Sequence, residues 1–357
     1  MTTKKEDEKD PSTSEPSPER LLVMRMLMGG LVSQTISVLT RLGVPDLLER
    51  QGPRSAVELT RDDGVAAQPD ALARALRAGA SVGIVREGAD GRFGPTALSH
   101  VLTSDASPSL EKLAGLMGSS WWQVWGELYE AVATGRPQTR ARLGTEYWEY
   151  CRDHPSELAD FSEGMRTGGF SSLWGVVERC DLAGVGTVVD VGGGLGDLSV
   201  ALLRKHPRLR CVLLELPELI PAVERCVAAE EPTLRDRLEL VGGDMFEAVP
   251  SGDLYLLKHI VHDWDDARAI ALLARCRAGM TEGGRVIAVD SVMPPLGEAG
   301  NPATALLDMQ MLVMFAGRER TLGQWQSLYA AAGLTIAQVV PLADVFGASL
   351  IEGVRDS

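Results

Sequence analysis

A glycine-rich turn in the C-terminal half combines residue types that suit ligand binding. The segment DVGGGLGD occupies 190–197, overlapping the apolar run TVVDV and leading into the helical pattern LSVALL. Glycines in such a turn allow a ligand to approach the backbone closely. In a doubly wound sheet, ligands bind outside the carboxyl ends of the strands, which is where this turn is predicted to lie. The turn therefore predicts a site for a nucleotide-type ligand.

The spacing of the glycines narrows the choice of ligand. The dinucleotide fingerprint GxGxxG fails in both registers, because its last position is Asp197 in one and Ser199 in the other. The pattern that fits is acid-x-Gly-x-Gly-x-Gly, formed by Asp190, Gly192, Gly194 and Gly196. This pattern is typical of S-adenosylmethionine-dependent methyltransferases. Their cofactor has no pyrophosphate, and its amino-acid tail and sulfonium cation favour acidic and carbonyl partners.

Residues after the next two predicted strands complete a cofactor site. Glu215 ends the run CVLLEL, where a carboxylate can accept hydrogen bonds from both ribose hydroxyls. A solvated acid at a strand end is the alternative interpretation. Asp244, Met245 and Phe246 follow the run LELVGG. An Asp can accept a hydrogen bond from the adenine amine, and Met and Phe can sandwich the ring, so we expect cofactor contacts here.

Five motifs occur in order along the chain: DVGGGLG, LLELP, GDMF, LLKHIVHDWDDARAIALLARC and, at 317–321, GRERT. With these motifs the chain resembles the plant-type small-molecule O-methyltransferases and their actinobacterial relatives from natural-product pathways, over roughly residues 20–357. The resemblance implies transfer of the methyl group of S-adenosyl-L-methionine to a phenolic hydroxyl of a small aromatic secondary metabolite. It also implies cofactor contacts by Leu216, Gly243 and Lys258; a solvated charge at a strand end is the alternative interpretation of Lys258.

His262 lies in the segment HDW, after the fourth apolar run and before a helix predicted to begin near Asp265. This position puts the imidazole at the carboxyl edge of the sheet, beside the cofactor. A phenol has a pKa of about 10 and an imidazole one of about 6.5. The imidazole can take the phenolic proton as the oxygen attacks the methyl group. The resemblance implies that His262 is this general base; the alternative is a structural residue packed on Trp264. His259 is interpreted as a packed or hydrogen-bonded strand residue, with a place in the pocket lining as the alternative.

The resemblance also supplies partners for the histidine and the substrate. Two acids are candidates to orient the imidazole: Asp290, where plant relatives carry Glu, and Glu319 in GRERT. A capping acid is the alternative for Asp290, and pairing with Arg318 or Arg320 is the alternative for Glu319. The residues implied to contact the substrate are Phe161, Met165, Trp264, Asp308 and Met309.

The elements that would position these residues form a tail and two domains. Residues 1–18 are rich in Ser, Pro, Glu and Lys and are predicted to be disordered. Residues 19–178 are predicted to form a mostly helical dimerisation domain that contains a winged-helix unit. Alternating apolar runs and helices over 179–357 predict an α/β, Rossmann-like class I methyltransferase domain with a mainly parallel sheet. The runs LTIAQVVPL and GASLIEGVR predict an antiparallel edge.

Charge and cysteine usage restrict the partners. The formal net charge is −14, which disfavours phosphate backbones and anionic lipid headgroups. The winged-helix unit is therefore interpreted as a homodimerisation module rather than a DNA reader, with no nucleic-acid and no membrane partner. The five cysteines show no CxxC spacing, which favours a reduced, cytoplasmic protein. No metal is predicted, because Asp263, Asp265 and Asp266 stand at a helix start, where acids cap backbone amides.

One alternative activity remains within the same fold. Some actinobacterial relatives are expected to keep the cofactor but to hydroxylate or decarboxylate an aromatic polyketide. Those relatives lack the histidine of the HDW segment. The presence of His262 therefore favours methyl transfer.

Overall fold

The computed structural model describes residues 17–167 and 172–355. The chain divides into two compact units, Met1–Thr103 and Ser104–Ser357. Of the tail predicted to be disordered, residues 1–16 lie outside the described residues, and the first helix already begins at Pro18 with Ser17 as its cap. The domain boundary predicted after residue 178 does not coincide with this division, because the helices between 111 and 179 pack within the second unit.

The first unit consists of helices and one short hairpin, in the predicted order. Ser55 and Glu58 form a capping box at the start of the fourth helix, in which each side chain accepts a hydrogen bond from the other residue's backbone N–H. The hairpin turns at Gly91, whose φ of +75° lies in the left-handed region. The elements of this unit are α1 (Pro18–Leu27), α2 (Gly29–Arg41), α3 (Val44–Gln51), α4 (Ala56–Arg61), α5 (Pro69–Ser81), β1 (Arg86–Glu87), β2 (Phe93–Gly94) and α6 (Ala97–His100).

The first two helices expose large apolar side chains. Leu22, Leu27 and Leu31 are 53%, 73% and 66% exposed. By length and composition alone, Pro18–Arg41 is apolar enough to cross a membrane, a test that core helices of soluble proteins and signal segments also pass. An apolar surface of this kind marks a place where a partner is expected to bind.

The second unit contains the sheet and the helices that cover it. Its helices are α7 (Glu111–Leu116), α8 (Ser120–Trp125), α9 (Leu128–Thr134), α10 (Thr139–Leu143), α11 (Tyr147–Asp153), α12 (Pro155–Thr167), α13 (Leu173–Arg179), α14 (Asp197–Lys205), α15 (Ile220–Ala228), α16 (Pro232–Arg235), α17 (Asp266–Gly279), α18 (Pro302–Met314) and α19 (Leu322–Ala331). Its strands are β3 (Thr187–Val191), β4 (Arg210–Glu215), β5 (Leu238–Gly242), β6 (Gly252–Lys258), β7 (Met280–Met293), β8 (Arg320–Thr321), β9 (Leu334–Pro341) and β10 (Ala348–Arg355).

The described strands of this unit form an eight-stranded sheet in the order β5-β4-β3-β6-β7-β10-β9, with β8 paired to β7. Strands β3 to β7 pair in parallel, and β10 runs antiparallel to both β7 and β9. The predicted antiparallel pair is thus confirmed. The order of strands reverses between β3 and β6, and such a switch point opens a crevice at the carboxyl ends of the strands.

Candidate active site

A cavity of about 660 Å³ lies in the second unit, at the carboxyl ends of β3, β4 and β6. Its position is the one expected from the switch point in the strand order. Most of the residues predicted to bind cofactor or substrate line it. They are Phe161, Met165, Asp190, Gly192, Gly194, Glu215, Leu216, Gly243, Asp244, Met245, Phe246, Lys258, His262 and Trp264.

The glycine turn forms one side of the cavity. Gly192 and Gly194 have φ values of +66° and +57°, which favour glycine. A Cβ atom at Gly192 would lie 2.4 Å from Cδ1 of Ile260, whereas one at Gly194 would meet nothing within 4 Å. The backbone at Gly194 is therefore open to a ligand. Gly196 does not line the cavity; it has a φ of +90° and precedes α14, so its role is to turn the chain.

Asp190 connects this turn to the helix that follows it. Its side chain is buried and accepts a hydrogen bond from the hydroxyl of Ser199 in α14 at 2.7 Å. Burial raises the pKa of Asp190, and the bond to Ser199 opposes that change. The acid at the start of the motif therefore ties strand β3 to the helix that follows the turn.

Glu215 faces the glycine turn from the end of β4. Its Oε2 accepts the N–H of Gly194 at 2.9 Å, and its Oε1 accepts the N–H of Leu216 at 2.7 Å. Burial raises the pKa of Glu215 to about 7, and the two backbone donors act against this rise. Each carboxylate oxygen keeps a second lone pair. The carboxylate is therefore positioned to accept hydrogen bonds from two neighbouring hydroxyls of a ligand.

The segment after β5 and the residue that follows the 3₁₀ turn before α17 supply apolar surface for a flat ring. Phe246 and Trp264 meet edge to face with centroids 4.7 Å apart, and both line the cavity. The Asp244 side chain accepts the N–H of Phe246 at 2.8 Å, which fixes the local turn. Asp244 thus holds Phe246 in place, and its other oxygen lies 4.0 Å from the guanidinium of Arg152. The Lys258 ammonium lies at the end of β6, where burial lowers its pKa and the charge of Asp190 raises it.

A second side of the cavity is aromatic. Trp148 packs against Phe161 and Phe315 with ring centroids 5.1 Å and 5.8 Å apart, and all three residues line the cavity. We call these three residues the aromatic wall. Met165 also lines this region. Packed rings of this kind provide a surface for another aromatic ring.

Helix α18 turns a different set of residues into the cavity than predicted. Asp308 and Met309 do not line it, whereas Leu307, Gln310 and Met311 do. Gln310 and Met311 follow Leu307 by three and four positions, so the three share one face of the helix, and the intervening residues point elsewhere. Asp308 instead accepts the backbone N–H of Glu319 at 2.8 Å. Asp308 therefore positions the segment that carries Glu319 and does not form part of the cavity surface.

His262 lies in a single 3₁₀ turn, Val261–Asp263, between β6 and α17. It is buried, yet lines the cavity. Its Nδ1 lies 2.6 Å from Oε1 of Glu319. A carboxylate only accepts hydrogen bonds, so Nδ1 carries the proton and Nε2 is the basic nitrogen of the neutral ring. This is the arrangement that a general base requires.

Three carboxyl groups surround the His262 imidazole. Besides Glu319, Asp290 Oδ1 lies 3.6 Å from Nδ1 and Asp263 Oδ1 lies 3.6 Å from Nε2. Burial lowers the pKa of His262, but the charges of Glu319 and Asp290 outweigh it and raise the pKa to about 10. Burial also raises the pKa of Asp290 and of Asp263 to about 7, against the attraction of His262. Glu319 is thus the direct orienting partner, and Asp290 acts on the imidazole through its charge.

The GRERT segment also holds the backbone of the histidine turn, a role that the sequence interpretation missed. The buried guanidinium of Arg320 donates to the carbonyls of Val261 at 3.2 Å and Trp264 at 2.8 Å. It also pairs with Asp266 at 2.8 Å. The sequence alternative of a pair between Arg320 and Glu319 therefore does not describe this arginine.

A glycine allows this segment to approach so closely. A Cβ atom at Gly317 would lie 1.8 Å from the carbonyl oxygen of His262, and that carbonyl accepts the N–H of Arg318 at 2.9 Å. The first residue of GRERT therefore has no room for a side chain. The turn that carries His262 is consequently fixed by backbone contacts as well as by the bond to Glu319.

Two histidines and one acid of this cluster also bring possible metal ligands together. Donor atoms of His259, His262 and Asp290 lie within 4.8 Å of one another. His259 has the positive φ of 54°, which is uncommon for a residue with a side chain. Nδ1 of His262 is bonded to Glu319, which leaves Nε2 as the nitrogen that this ring could offer to an ion.

Comparison with known proteins gives a consistent result over nearly the whole chain. A family model described as the O-methyltransferase domain matches residues 125–335, and one described as the O-methyltransferase dimerisation domain matches residues 24–105. A phenazine O-methyltransferase of Lysobacter antibioticus is 34% identical over 337 residues, which are 94% of this chain and 96% of that protein. A mitomycin biosynthesis 6-O-methyltransferase of Streptomyces lavendulae is 32% identical over 93% of this chain and 94% of that protein.

One of the similar solved structures contains bound ligands. An O-methyltransferase from neocarzinostatin biosynthesis, crystallised with S-adenosylmethionine and 2-hydroxy-5-methyl naphthoic acid, is similar to this chain with a TM-score of 0.79. The two sequences are 30% identical, and the match covers 91% of this chain and 96% of the other. That protein therefore binds a methyl donor and an aromatic acid on the same fold.

Proposed function

Because the chain belongs to the family of S-adenosylmethionine-dependent O-methyltransferases, we propose that it methylates a phenolic hydroxyl of a small aromatic secondary metabolite, with His262 as the general base. The observation that carries this proposal is that His262, held by Glu319 at 2.6 Å, lines the same cavity as the glycine turn and the aromatic wall. One cavity thus offers places for the methyl donor, for an aromatic ring and for the phenolic proton.

The residues of the cavity fit the methyl donor. The carboxylate of Glu215 suits the two ribose hydroxyls, and the apolar side chains of Met245 and Phe246 suit the adenine ring. Gly194 leaves the backbone accessible to the amino-acid tail. S-adenosylmethionine supplies an electrophilic methyl group, and its C–S bond breaks as the new O–C bond forms.

The chain's own contribution to the reaction is orientation and proton transfer. The aromatic wall stacks against the ring of the acceptor and excludes water from it. His262 Nε2 takes the phenolic proton, and Glu319 stabilises the imidazolium that results. Since the reaction is a direct displacement, holding oxygen, carbon and sulfur in line supplies much of the acceleration.

The proposed function is tested by incubating the protein with labelled S-adenosylmethionine and a panel of phenols of one to three rings. We expect label to appear as a methyl ether on at least one phenol. Matched methyl ethers and aromatic amines serve as controls, because they lack the hydroxyl. Label that appears only on the amines, or a lack of methylation accompanied by oxygen consumption, would contradict the proposal and would favour N-methylation or the hydroxylating alternative.

The cofactor assignment makes a separate prediction. Glu215→Ala is expected to weaken binding of S-adenosylhomocysteine about 10- to 100-fold, because hydrogen bonds to a charged acceptor contribute about 1.5–3 kcal/mol and 1.4 kcal/mol is a factor of ten. Calorimetric titration measures this change, and thermal unfolding checks that the variant is folded. Glu218→Ala, an exposed acid in the same segment, is the matched control. Unchanged binding by Glu215→Ala would overturn the ribose role.

We also propose that a second copy of the chain covers the exposed apolar face of α1 and α2. The family model for dimerisation begins at residue 24 and so covers the end of α1 and all of α2, including Leu27 and Leu31, which are 73% and 66% exposed. The net charge of −14 supports neither a nucleic-acid nor an anionic membrane partner for this unit. The described cysteines are free, which supports a reducing, cytoplasmic location.

This proposal predicts that Leu27→Glu combined with Leu31→Glu converts a dimer into a monomer. Two glutamates buried at an apolar interface are unpaired charges, and they destabilise the dimer by far more than the loss of leucine packing does. Light scattering after size-exclusion chromatography measures the mass. Val57→Glu, which changes an exposed apolar residue on α4, is expected to leave the dimer intact. A wild-type protein that is monomeric, or that partitions into lipid vesicles, would contradict the proposal.

A further inference from the structure

Gln310 is a polar side chain on the apolar face that α18 turns toward the cavity. Its neighbours on that face, Leu307 and Met311, are buried, and Gln310 itself is 8% exposed. All three line the cavity. An amide at such a position is unfavourable unless both of its ends form hydrogen bonds.

One end of the amide is satisfied by a fixed partner. The indole N–H of Trp125 donates to Oε1 of Gln310. An indole nitrogen can only donate, so the carbonyl end of the amide must face Trp125. The orientation of the amide is therefore determined, and its NH₂ group must be at the opposite end.

The other end has no partner within the described part of the chain. Nε2 of Gln310 is buried and forms no hydrogen bond there. Nε1 of Trp148, in the aromatic wall, is in the same situation. Both groups are donors and neither can accept. Both residues line the cavity, and each carries a buried donor for which the described part of the chain supplies no acceptor.

We propose that Gln310 determines acceptor specificity by donating a hydrogen bond from Nε2 to a carbonyl oxygen of the substrate. The substrate class is then an aromatic phenol that carries a ketone, quinone or carboxyl oxygen in addition to the hydroxyl that is methylated. This inference rests on the proposed function, because it concerns the phenol that His262 deprotonates. The aromatic wall contacts the ring, and Gln310 recognises the carbonyl.

The test compares pairs of phenols that differ only in a ketone or a methylene at one position, with one to three rings. Binding to protein saturated with S-adenosylhomocysteine is measured by calorimetry, and kcat/KM is measured for the pairs that are methylated. For the wild type we expect the ketone to be favoured about three- to tenfold in at least one pair, the range of a net hydrogen bond. Gln310→Met is expected to abolish this preference.

Trp125→Phe separates recognition from support. It removes the indole donor and keeps the amide. If Gln310 acted only through its hydrogen bond to Trp125, then Trp125→Phe and Gln310→Met would have the same effect on the ketone preference. We expect Trp125→Phe to weaken ketone and methylene members equally and to retain the ketone preference. Equal affinities for both members in the wild type, or a preference that survives Gln310→Met, would overturn the inference. Failure of every phenol to bind or react would instead overturn the proposed function on which it rests.

Discussion

His262→Ala is expected to lower kcat for methyl transfer by about 10²- to 10⁴-fold, the range of general acid–base catalysis by a positioned side chain. The imidazole is buried and bonded to Glu319 at 2.6 Å, so its Nε2 is directed by a rigid partner. At neutral pH a phenol is almost entirely protonated, since its pKa is about 10. Without a base, the oxygen must attack while it still holds its proton.

The measurement is kcat from initial rates at saturating S-adenosylmethionine, together with the affinity for S-adenosylhomocysteine. We expect the affinity to stay within a factor of two or three, because His262 is assigned to the phenol and Glu215 to the ribose. His154→Ala is the matched control, since His154 is exposed and lies outside the cavity lining. Nearly full kcat in His262→Ala would make the histidine structural and would leave alignment of the reactants as the source of catalysis.

The side of the cavity formed by the glycine turn and Glu215 could be predicted from the sequence because local rules place these residues. A glycine turn after a buried strand lies at the carboxyl edge of a parallel sheet, and Glu215 ends the neighbouring strand β4. Parallel pairing of β3 with β4 brings the two ends together. The hydrogen bond between Gly194 N–H and Glu215 is a consequence of that pairing.

Other features depended on contacts between distant segments. Asp308 and Met309 were predicted to line the cavity, but the rotation of α18 is set by packing of its buried face, which presents Leu307 and Gln310 instead. The boundary after residue 178 followed the change from helices to strands. The compact units are defined by which helices pack together, and that information is not local.

The acids that surround His262 could likewise be named from the motifs, but their distances from the imidazole could not be predicted. Both Asp290 and Glu319 were candidates, and the sequence gives no distance between either of them and His262. The structure places Glu319 within hydrogen-bond range and Asp290 1 Å farther away, at 3.6 Å against 2.6 Å. Arg320 was missed because its function is to hold backbone carbonyls, which no residue pattern records.

Glu319→Gln is expected to move the rising limb of the pH–rate profile to lower pH. In the wild type, Glu319 and Asp290 raise the pKa of His262 to about 10, so the base is mostly protonated at neutral pH and gains activity as the pH rises. Gln keeps an oxygen that can accept from Nδ1, but it carries no charge. An opposite charge at this distance shifts a pKa by about one to three units, and we expect a displacement in that range toward the ordinary value of a histidine.

The direction of the change in rate depends on pH. Below the wild-type pKa of His262, the variant has a larger fraction of neutral imidazole, which offsets its lower basicity. At high pH both proteins are fully deprotonated, and the variant is slower because a weaker base assists proton transfer less. Asp290→Asn is expected to shift the limb in the same direction by less, because its carboxylate lies farther from Nδ1.

Ionisation of the phenol itself would also produce a rising limb, so two phenols of different pKa are compared with both proteins. A limb that belongs to His262 moves with Glu319→Gln for both phenols and stays at the same pH when the phenol is changed. If the pH of the rising limb changes with the pKa of the phenol and is the same in both proteins, the substrate enters as its anion. In that case the ion pair of His262 with Glu319 would serve to hold a positive charge near the phenolate, and His262 would not be the base.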